Sequence, residues 1–376
     1  MLLGLSDDQE FFRQTTERFL SEQVPPDALR AQRDDPAGFD PAYWRRGVEL
    51  GWTSLLVDEE HGGGTISGAG LEDLSLVAYE FGRHAAPGPL VSTNVVAAAL
   101  NGSDTGPEVL GGLVSGQQVA TWCAPVLGAG GWEPTVEAVR DGSGLVLHGE
   151  ARPVESATQA DHLLVTCRQD GGVTQVLVPV SSPGVRVTPL GTVDLSRRFG
   201  SVTFDAVSVQ PDAVVGQAGE AAAQVEWQLR LALVLLSAES VGAMQSGFDI
   251  TLEWAFDRYS FGRPLASYQA LKHRFADMLT WLEASRAITG AACVATQQQT
   301  EKAAELTSAA KAYSGEYGAE LLQDCVQLHG GIGVTFEHDL HLYLRRVIVD
   351  RATLGTPADH RRRIGALVAA KEGVAA

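Results

Sequence analysis

The run WQLRLALVLLSAESVGAMQSGFDITLEWAFDRY (227–259) limits what this chain can fold into more than any other stretch. It reads as one long helix, roughly 219–257, that is apolar almost all round. Such a helix cannot lie on a surface and must be covered by companions. Three more helical stretches follow on short connections. Pro264 can open the first, with Leu265, Tyr268, Leu271, Phe275, Met278 and Leu282 recurring at three and four. Another covers about 301–328 and stops at Gly330-Gly331, and the last runs from about 339 to 352. The predicted unit is a C-terminal four-helix bundle over 219–376.

The period changes upstream. Between 119 and 218, TVEAVR, GLVLHGEAR, DHLLVTCR, VTQVLVPV, GVRVTPL and GSVTFDAVSV alternate at two, with turns at Asp141-Gly142 and Asp170-Gly171-Gly172. This predicts a small antiparallel β domain. Residues 1–118 read as helical again: Ser6 or Asp7 caps a helix through Leu20 with Phe11, Phe12 and Phe19 near one face. Further helices are expected over 44–50, over 71–82 and in the apolar run ending at Asn101-Gly102. The fold class is therefore mainly α with a small β domain. GGGT at 62–65 does not leave a strand to open a helix, so a turn is expected there rather than a phosphate nest.

Composition narrows the function. A net charge of −18 disfavours nucleic acid or a membrane surface as the main partner. No stretch reaches 18 uninterrupted apolar residues and the N-terminus turns acidic within eight residues, so neither a membrane span nor a signal peptide is expected. Cys123, Cys167, Cys293 and Cys325 form no CxxC pair and read as buried thiols in a reducing, cytoplasmic setting. His61, His329, His338 and His341 show no metal-ligand arrangement, so no metal site is expected.

Three strings then carry a resemblance: DRYSFGRPLASYQALKHRFADM (257–278), QLHGGIGVTFEHDLHLYLRR (327–346) and LGTP (354–357). With the opening SDDQEFFRQTTERFL and LGWTSLLVDEEHGGG, the chain resembles the acyl-CoA dehydrogenase family along essentially its whole length. The resemblance implies FAD as cofactor, an acyl-CoA thioester as substrate and electron-transfer flavoprotein as electron acceptor. It also implies that Arg258, Phe261 and Gln269 reach a neighbouring subunit's flavin site, the arginine facing the diphosphate, and that Gln327–Gly331, with Gly330 and Gly331, approach the adenosine end. Taken singly, these residues also read as a cation at a helix end, a core aromatic and a helix C-cap.

The family's general base is usually a glutamate in an EGT turn, and the matching position here is Leu354. A base on the first bundle helix would fall near Ala232, which is not acidic either. Glu239, the only carboxylate in its apolar run, is a displaced base or a structural residue; Asp350 is a distant second and can pair with Arg346 at i, i+4. The family string TEPGAGSD becomes CAPVLGAGGWEP, with Gly131 at the serine position and Trp132 at the acid. Pro153 stands about where a flavin-facing aromatic is usual. Own-site contacts are degraded while lent elements persist. The resemblance therefore implies the partner subunit of a heteromeric enzyme, beside an unlike acyl-CoA dehydrogenase subunit bearing the glutamate and acting on bulky acyl groups, steroid side chains among them. A homomeric enzyme with a displaced base and a flavin-free scaffold are the alternatives.

Overall fold

The computed structural model describes residues 4–128 and 131–372. Six helices come first: α1 (Asp7–Gln23), α2 (Pro26–Ala31), α3 (Pro41–Glu49), α4 (Gly70–Arg83), α5 (Leu90–Asn101) and α6 (Pro107–Val114). Ser6 caps α1 through a reciprocal pair with Gln9. Phe12 turns inward, but Phe11 points to solvent at 73% exposure, off the face expected of it.

The strands are β1 (Ala120–Cys123), β2 (Val126–Gly128), β3 (Gly131–Glu133), β4 (Val136–Asp141), β5 (Gly144–Glu155), β6 (His162–Gln169), β7 (Gly172–Pro179), β8 (Val185–Leu190), β9 (Phe199–Val209) and β10 (Val214–Val215). All but the β2–β3 hairpin join one sheet, ordered β10-β7-β6-β4-β5-β9-β8 with β1 also on β6. The pairings are antiparallel as expected, except that β1 and β4 each run parallel to β6. The sheet is therefore mixed.

The bundle holds α7 (Ala222–Asp257), α8 (Gln269–Gln297), α9 (Ala303–His329) and α10 (Leu340–Ala352), plus a fifth helix, α11 (Pro357–Glu372). The strand pair β11 (Tyr259–Ser260) and β12 (Arg263–Pro264) separates α7 from α8, so Pro264 precedes α8 rather than opening it. Arginines 361–363 lie within α11 and each pairs with a carboxylate: Glu316, Asp359 and Glu226.

By length and composition α7 could cross a membrane, yet 94% of its most apolar window is buried inside the protein. It touches α4, α5, α8, α9 and α10. One core runs from Trp44, Trp52 and Phe81 to Leu235 and Leu322, so the N-terminal helices and the bundle bury each other. A second core, with Leu147, Val165 and Phe204, lies on the sheet. Where α4 crosses α7, a Cβ on Gly82 would come within 1.8 Å of the Glu239 carbonyl, and one on Gly242 within 1.9 Å of the Tyr79 carbonyl. Only glycine permits that approach, and it sets Glu239 against the inner face of α4. The four cysteines are buried and unpaired.

Candidate functional site

The turn after α10 holds Leu354 in a left-handed conformation, φ +55°, with Gly355 at φ +99°. Its backbone is braced from two sides. The buried ammonium of Lys311 donates to the carbonyls of Arg351 (3.1 Å) and Gly355 (3.0 Å), and His360 Nε2 bonds the Leu354 carbonyl at 2.9 Å. Burial pulls the Lys311 amine down to about 7 and the His360 imidazole to about 4. The Leu354 side chain is half-buried against the main core. This turn thus has a braced backbone and an aliphatic side chain, which can neither take nor give a proton.

Glu239 and Asp350, the acidic residues singled out in the sequence, lie in a buried cluster. Glu239 is 2% exposed, with one carboxylate oxygen on Arg197 and the other on Arg346. Asp350 accepts from Arg197 Nη1 at 2.9 Å and from Ser240 Oγ at 3.2 Å. Its expected partner on its own helix, Arg346, instead bonds Asp194 at 2.6 Å. Glu155 approaches Arg197 at 3.4 Å. Two guanidinium groups therefore face four carboxylates out of water. Burial, reinforced by the Glu239 charge, raises the Asp350 carboxyl to about 8, and burial raises Glu155 as well. Burial alone would raise Asp194 too, but Arg346 and Arg197 more than offset it and its net shift is downward. Neither oxygen of Glu239 is free to face a substrate carbon.

Beside this cluster an apolar cleft of about 290 Å³ opens between the sheet and α10, lined by Pro153, Leu190, Val193 and Phe199 on one wall and Val349 and Thr353 on the other. Pro153 sits at a bulge, where the β5–β9 register shifts between Ala151 and Val154. The side-chain polar groups lining the cleft are the hydroxyls of Thr192 and Thr353. The first accepts from the Asp194 N–H at 3.2 Å and the second donates to the Val349 carbonyl at 2.9 Å. A flavin ring, which carries carbonyls and ring nitrogens along one edge, meets aliphatic groups here, with the Thr192 hydroxyl proton the one side-chain donor left open. The cleft fits that ring poorly. At the β2–β3 hairpin, Gly131 is described and Ala129 and Gly130 lie outside the described residues. Trp132 packs there between Arg363 (5.3 Å) and His360 (6.3 Å).

The remaining sequence candidates gather at the far end of the bundle. Arg258 follows the last residue of α7, and the β11–β12 hairpin carries Phe261 at its tip, 97% exposed and at φ +47°. Gln269, Gln327, Gly330 and Gly331 are exposed too. Gly330, at φ +65°, ends α9. The two segments meet through aromatic rings: Trp254 stacks on His329 at 5.1 Å, and Arg258 lies 5.8 Å from the Trp254 ring. Exposed Phe256, Tyr259, Ile332 and Val334 flank them. Phe261 is thus no core aromatic.

Sequence reading missed Arg197, Asp194 and Lys311, and saw Arg346 only as a helical neighbour of Asp350. The available signal was arginine pairs within apolar strings (LSRRFG, YLRRVIV) and a lone lysine in the small-residue run AAKAYSG. Among the described residues no group of three or more His, Cys, Asp or Glu side chains gathers to hold a metal.

Residues 222–369 match the profile of the acyl-CoA dehydrogenase C-terminal domain, and residues 6–116 match that of the N-terminal domain. Acyl-CoA dehydrogenase IpdE2 of Mycolicibacterium smegmatis is 30% identical over 365 residues, which span 97% of this chain and 100% of that protein. Acyl-CoA dehydrogenase FadE27 of Mycobacterium tuberculosis is 29% identical, covering 87% of this chain and 88% of its own. A variant of the Tcur3481–Tcur3483 steroid ACAD superposes with a TM-score of 0.88 at 29% identity, over 98% of this chain and 99% of that one. The ChsE4–ChsE5 complex from Mycobacterium tuberculosis gives 0.87 at 26% identity, again over 98% and 99%. With both profiles matched and a relative aligned nearly end to end, this chain belongs to the acyl-CoA dehydrogenase family.

Proposed function

We propose that this chain is the non-catalytic partner subunit of a heteromeric, FAD-dependent acyl-CoA dehydrogenase. It pairs with an unlike family member, lends that subunit's flavin site Arg258, Phe261, Gln269 and the Gln327–Gly331 segment, and lacks a base of its own. The observation that carries this reading is a contrast within one molecule. At its own turn stands Leu354, and the nearby carboxylates Glu239 and Asp350 are locked to arginines. At the bundle end, Phe261 is fully exposed and the Arg258 guanidinium has no hydrogen bond or ion pair among the described residues. With exposed Phe256, Tyr259, Ile332 and Val334 at the same end of the bundle, Phe261 belongs to an apolar surface suited to cover by a partner. Two similar structures, Tcur3481–Tcur3483 and ChsE4–ChsE5, each join two differently named chains, which supports the heteromer. The first is a steroid ACAD, and by that likeness the thioester is proposed to carry a bulky steroid side chain, with electron-transfer flavoprotein as the acceptor and the cytoplasm as the setting.

In this scheme the flavin, bound on the unlike subunit, supplies hydride acceptance from the acyl β carbon. Arg258 sets a cation against the diphosphate, as a planar guanidinium suits paired phosphate oxygens. Phe261 covers the approach and excludes water. Gly330-Gly331 keep a side-chain-free backbone where the adenosine end must come close. The α proton leaves to a carboxylate of the unlike subunit, since Leu354 accepts none. A displaced base at Glu239 has no geometry in its favour.

Flavin content and mass, measured on the chain alone and after co-expression with its unlike partner, test this. The expected result is no flavin on the lone chain and about one FAD per unlike pair. One tightly held FAD per identical chain would overturn it. A second expectation concerns the turn: Leu354→Glu in the lone chain yields no dehydrogenation, because the cleft at Pro153 still lacks flavin contacts. Turnover by the lone L354E protein would show that the base alone was missing.

A further inference from the structure

Arg258 is exposed, and its guanidinium has no carboxylate and no hydrogen-bond acceptor among the described residues. The backbone around it is well held. Its N–H bonds the Trp254 carbonyl at 2.8 Å and its carbonyl accepts from Leu265 N–H at 2.9 Å. Tyr268 closes the hairpin through its hydroxyl on the Ser260 carbonyl at 2.6 Å, with Arg263 over its ring at 3.9 Å. The side chain of Arg258, by contrast, is held by no polar contact and lies over the Trp254 ring, 5.8 Å from its centroid.

Trp254 is itself placed by its ring faces. Its Nε1 is buried with no hydrogen-bond partner, so no polar contact fixes the indole. What fixes it is His329, stacked at 5.1 Å with the planes 18° apart, and His329 is the last residue of α9, directly before Gly330. His329 is anchored by Nδ1 on the Cys325 carbonyl at 2.8 Å and meets His338 edge-on at 4.5 Å. Burial lowers the His329 pKa below the usual imidazole range, so near neutral pH the ring next to Trp254 carries no charge to compete with Arg258.

We propose that Trp254 is the positioning residue for Arg258: its ring holds the unpaired guanidinium ready for the flavin diphosphate of the unlike subunit, and its stack on His329 fixes that arm to the Gly330-Gly331 turn. The inference rests on the partner-subunit reading above and adds to it how the lent cation is kept in place. A long arginine side chain free in water loses rotamer entropy when it binds, and an aromatic shelf removes part of that cost beforehand.

The test is a double-mutant cycle on FAD affinity, measured by titrating the flavin-stripped heteromer, with complex mass checked for every variant. Arg258→Gln should weaken FAD by about ten- to a hundredfold, the range for a charged hydrogen-bonded contact. Trp254→Leu should weaken it by about three- to thirtyfold, the range of a cation–π contact. In the Arg258→Gln background, Trp254→Leu should change it by less than about twofold, because a residue acting through the guanidinium has nothing left to position. A merely structural tryptophan would cost the same in both backgrounds, and that result overturns the proposal. So does an unchanged affinity in Trp254→Leu alone. If Trp254→Leu does not assemble, Trp254→Phe, which keeps a weaker aromatic face, takes its place, with a smaller loss expected that again vanishes with Arg258→Gln. An Arg258→Gln complex with native affinity would instead sink the partner-subunit reading, and the role of Trp254 with it.

Discussion

Replacing Arg346 with methionine is expected to cost about 3–5 kcal/mol of stability, the range for removing one partner from a buried ion pair. The side chain is fully buried and serves five acceptors: Asp194 Oδ2, Glu239 Oε1, Ser196 Oγ and the carbonyls of Ala85 and Ala86. Methionine has similar length, so the loss would not come from a cavity. It would come from Asp194 and Glu239 left in low dielectric with less compensation, and from the Ala86 carbonyl left without its donor, while the Ala85 carbonyl keeps Ser196 Oγ at 2.7 Å. Lysine would not restore the native value, since one ammonium cannot reach the same spread of acceptors. Adding Glu239→Gln to Arg346→Met should recover part of the loss, because it removes one of the stranded charges. Urea or thermal unfolding of the three variants checks this. A single Arg346→Met protein within about 1 kcal/mol of native would mean that the cluster is solvated or rearranges freely.

Much of the fold was legible because the strongest signals were local. The apolar run at 229–241 allowed only a buried helix, and it is one. The alternating strings from 136 to 209 became β4 to β9, with turns at Asp141-Gly142 and Asp170-Gly171 where the periodicity put them. Short or polar elements escaped. The four residues of β1 are too few to show a period, and their parallel register with β6 depends on contacts 42 residues apart. Helix α11 was hidden by RRRIG, which reads as a solvated tail. Its start was nonetheless written in the sequence: Pro357 stands at the first helical position, and Thr356 and Asp359 cap each other, side chain to backbone, at 2.8 and 3.3 Å.

The candidate site divides the same way. Leu354, Arg258 and Phe261 follow from single strings that resemble a family, and the structure adds where they stand. The arginine–carboxylate cluster draws on Glu155, Asp194, Arg197, Glu239, Arg346 and Asp350, which come from four distant stretches of chain. No periodicity joins them. Glu239 could be recognised as anomalous, a lone carboxylate in an apolar run, but its partners could be named only after the chain had folded. That is the ordinary fate of buried polar networks, whose members are chosen by geometry across elements rather than by pattern within one.

The same cluster sets how stability depends on pH. Asp350 titrates at about 8 in the folded protein, whereas a free aspartate titrates near 3.9. Between those values the native state holds a proton that the unfolded chain has released. The slope of unfolding free energy with pH follows the protons bound by the unfolded state minus those bound by the native state, so it is negative there. The contribution is fully present below about pH 4 and is lost as pH rises through about 8. Burial is the first cause and the Glu239 charge the second, so removing the ionisable group should remove the slope. Asp350→Asn is the direct test. Its carbonyl can still accept from Arg197, and its amide can donate to Ser240 Oγ, so at pH 6 it mimics the protonated native form. Near pH 4, below which the native contribution is fully present, its unfolding midpoint should match native, and by pH 6 it should already lie above it. Near pH 9 it should exceed native by several degrees, and its profile from 6 to 9 should be the flatter of the two. A native protein whose midpoint is level or rising across that range, with Asp350→Asn less stable throughout, would mean that Asp350 is ionised in the fold. Two guanidinium groups would then be carrying four charged carboxylates, which the burial of this cluster argues against.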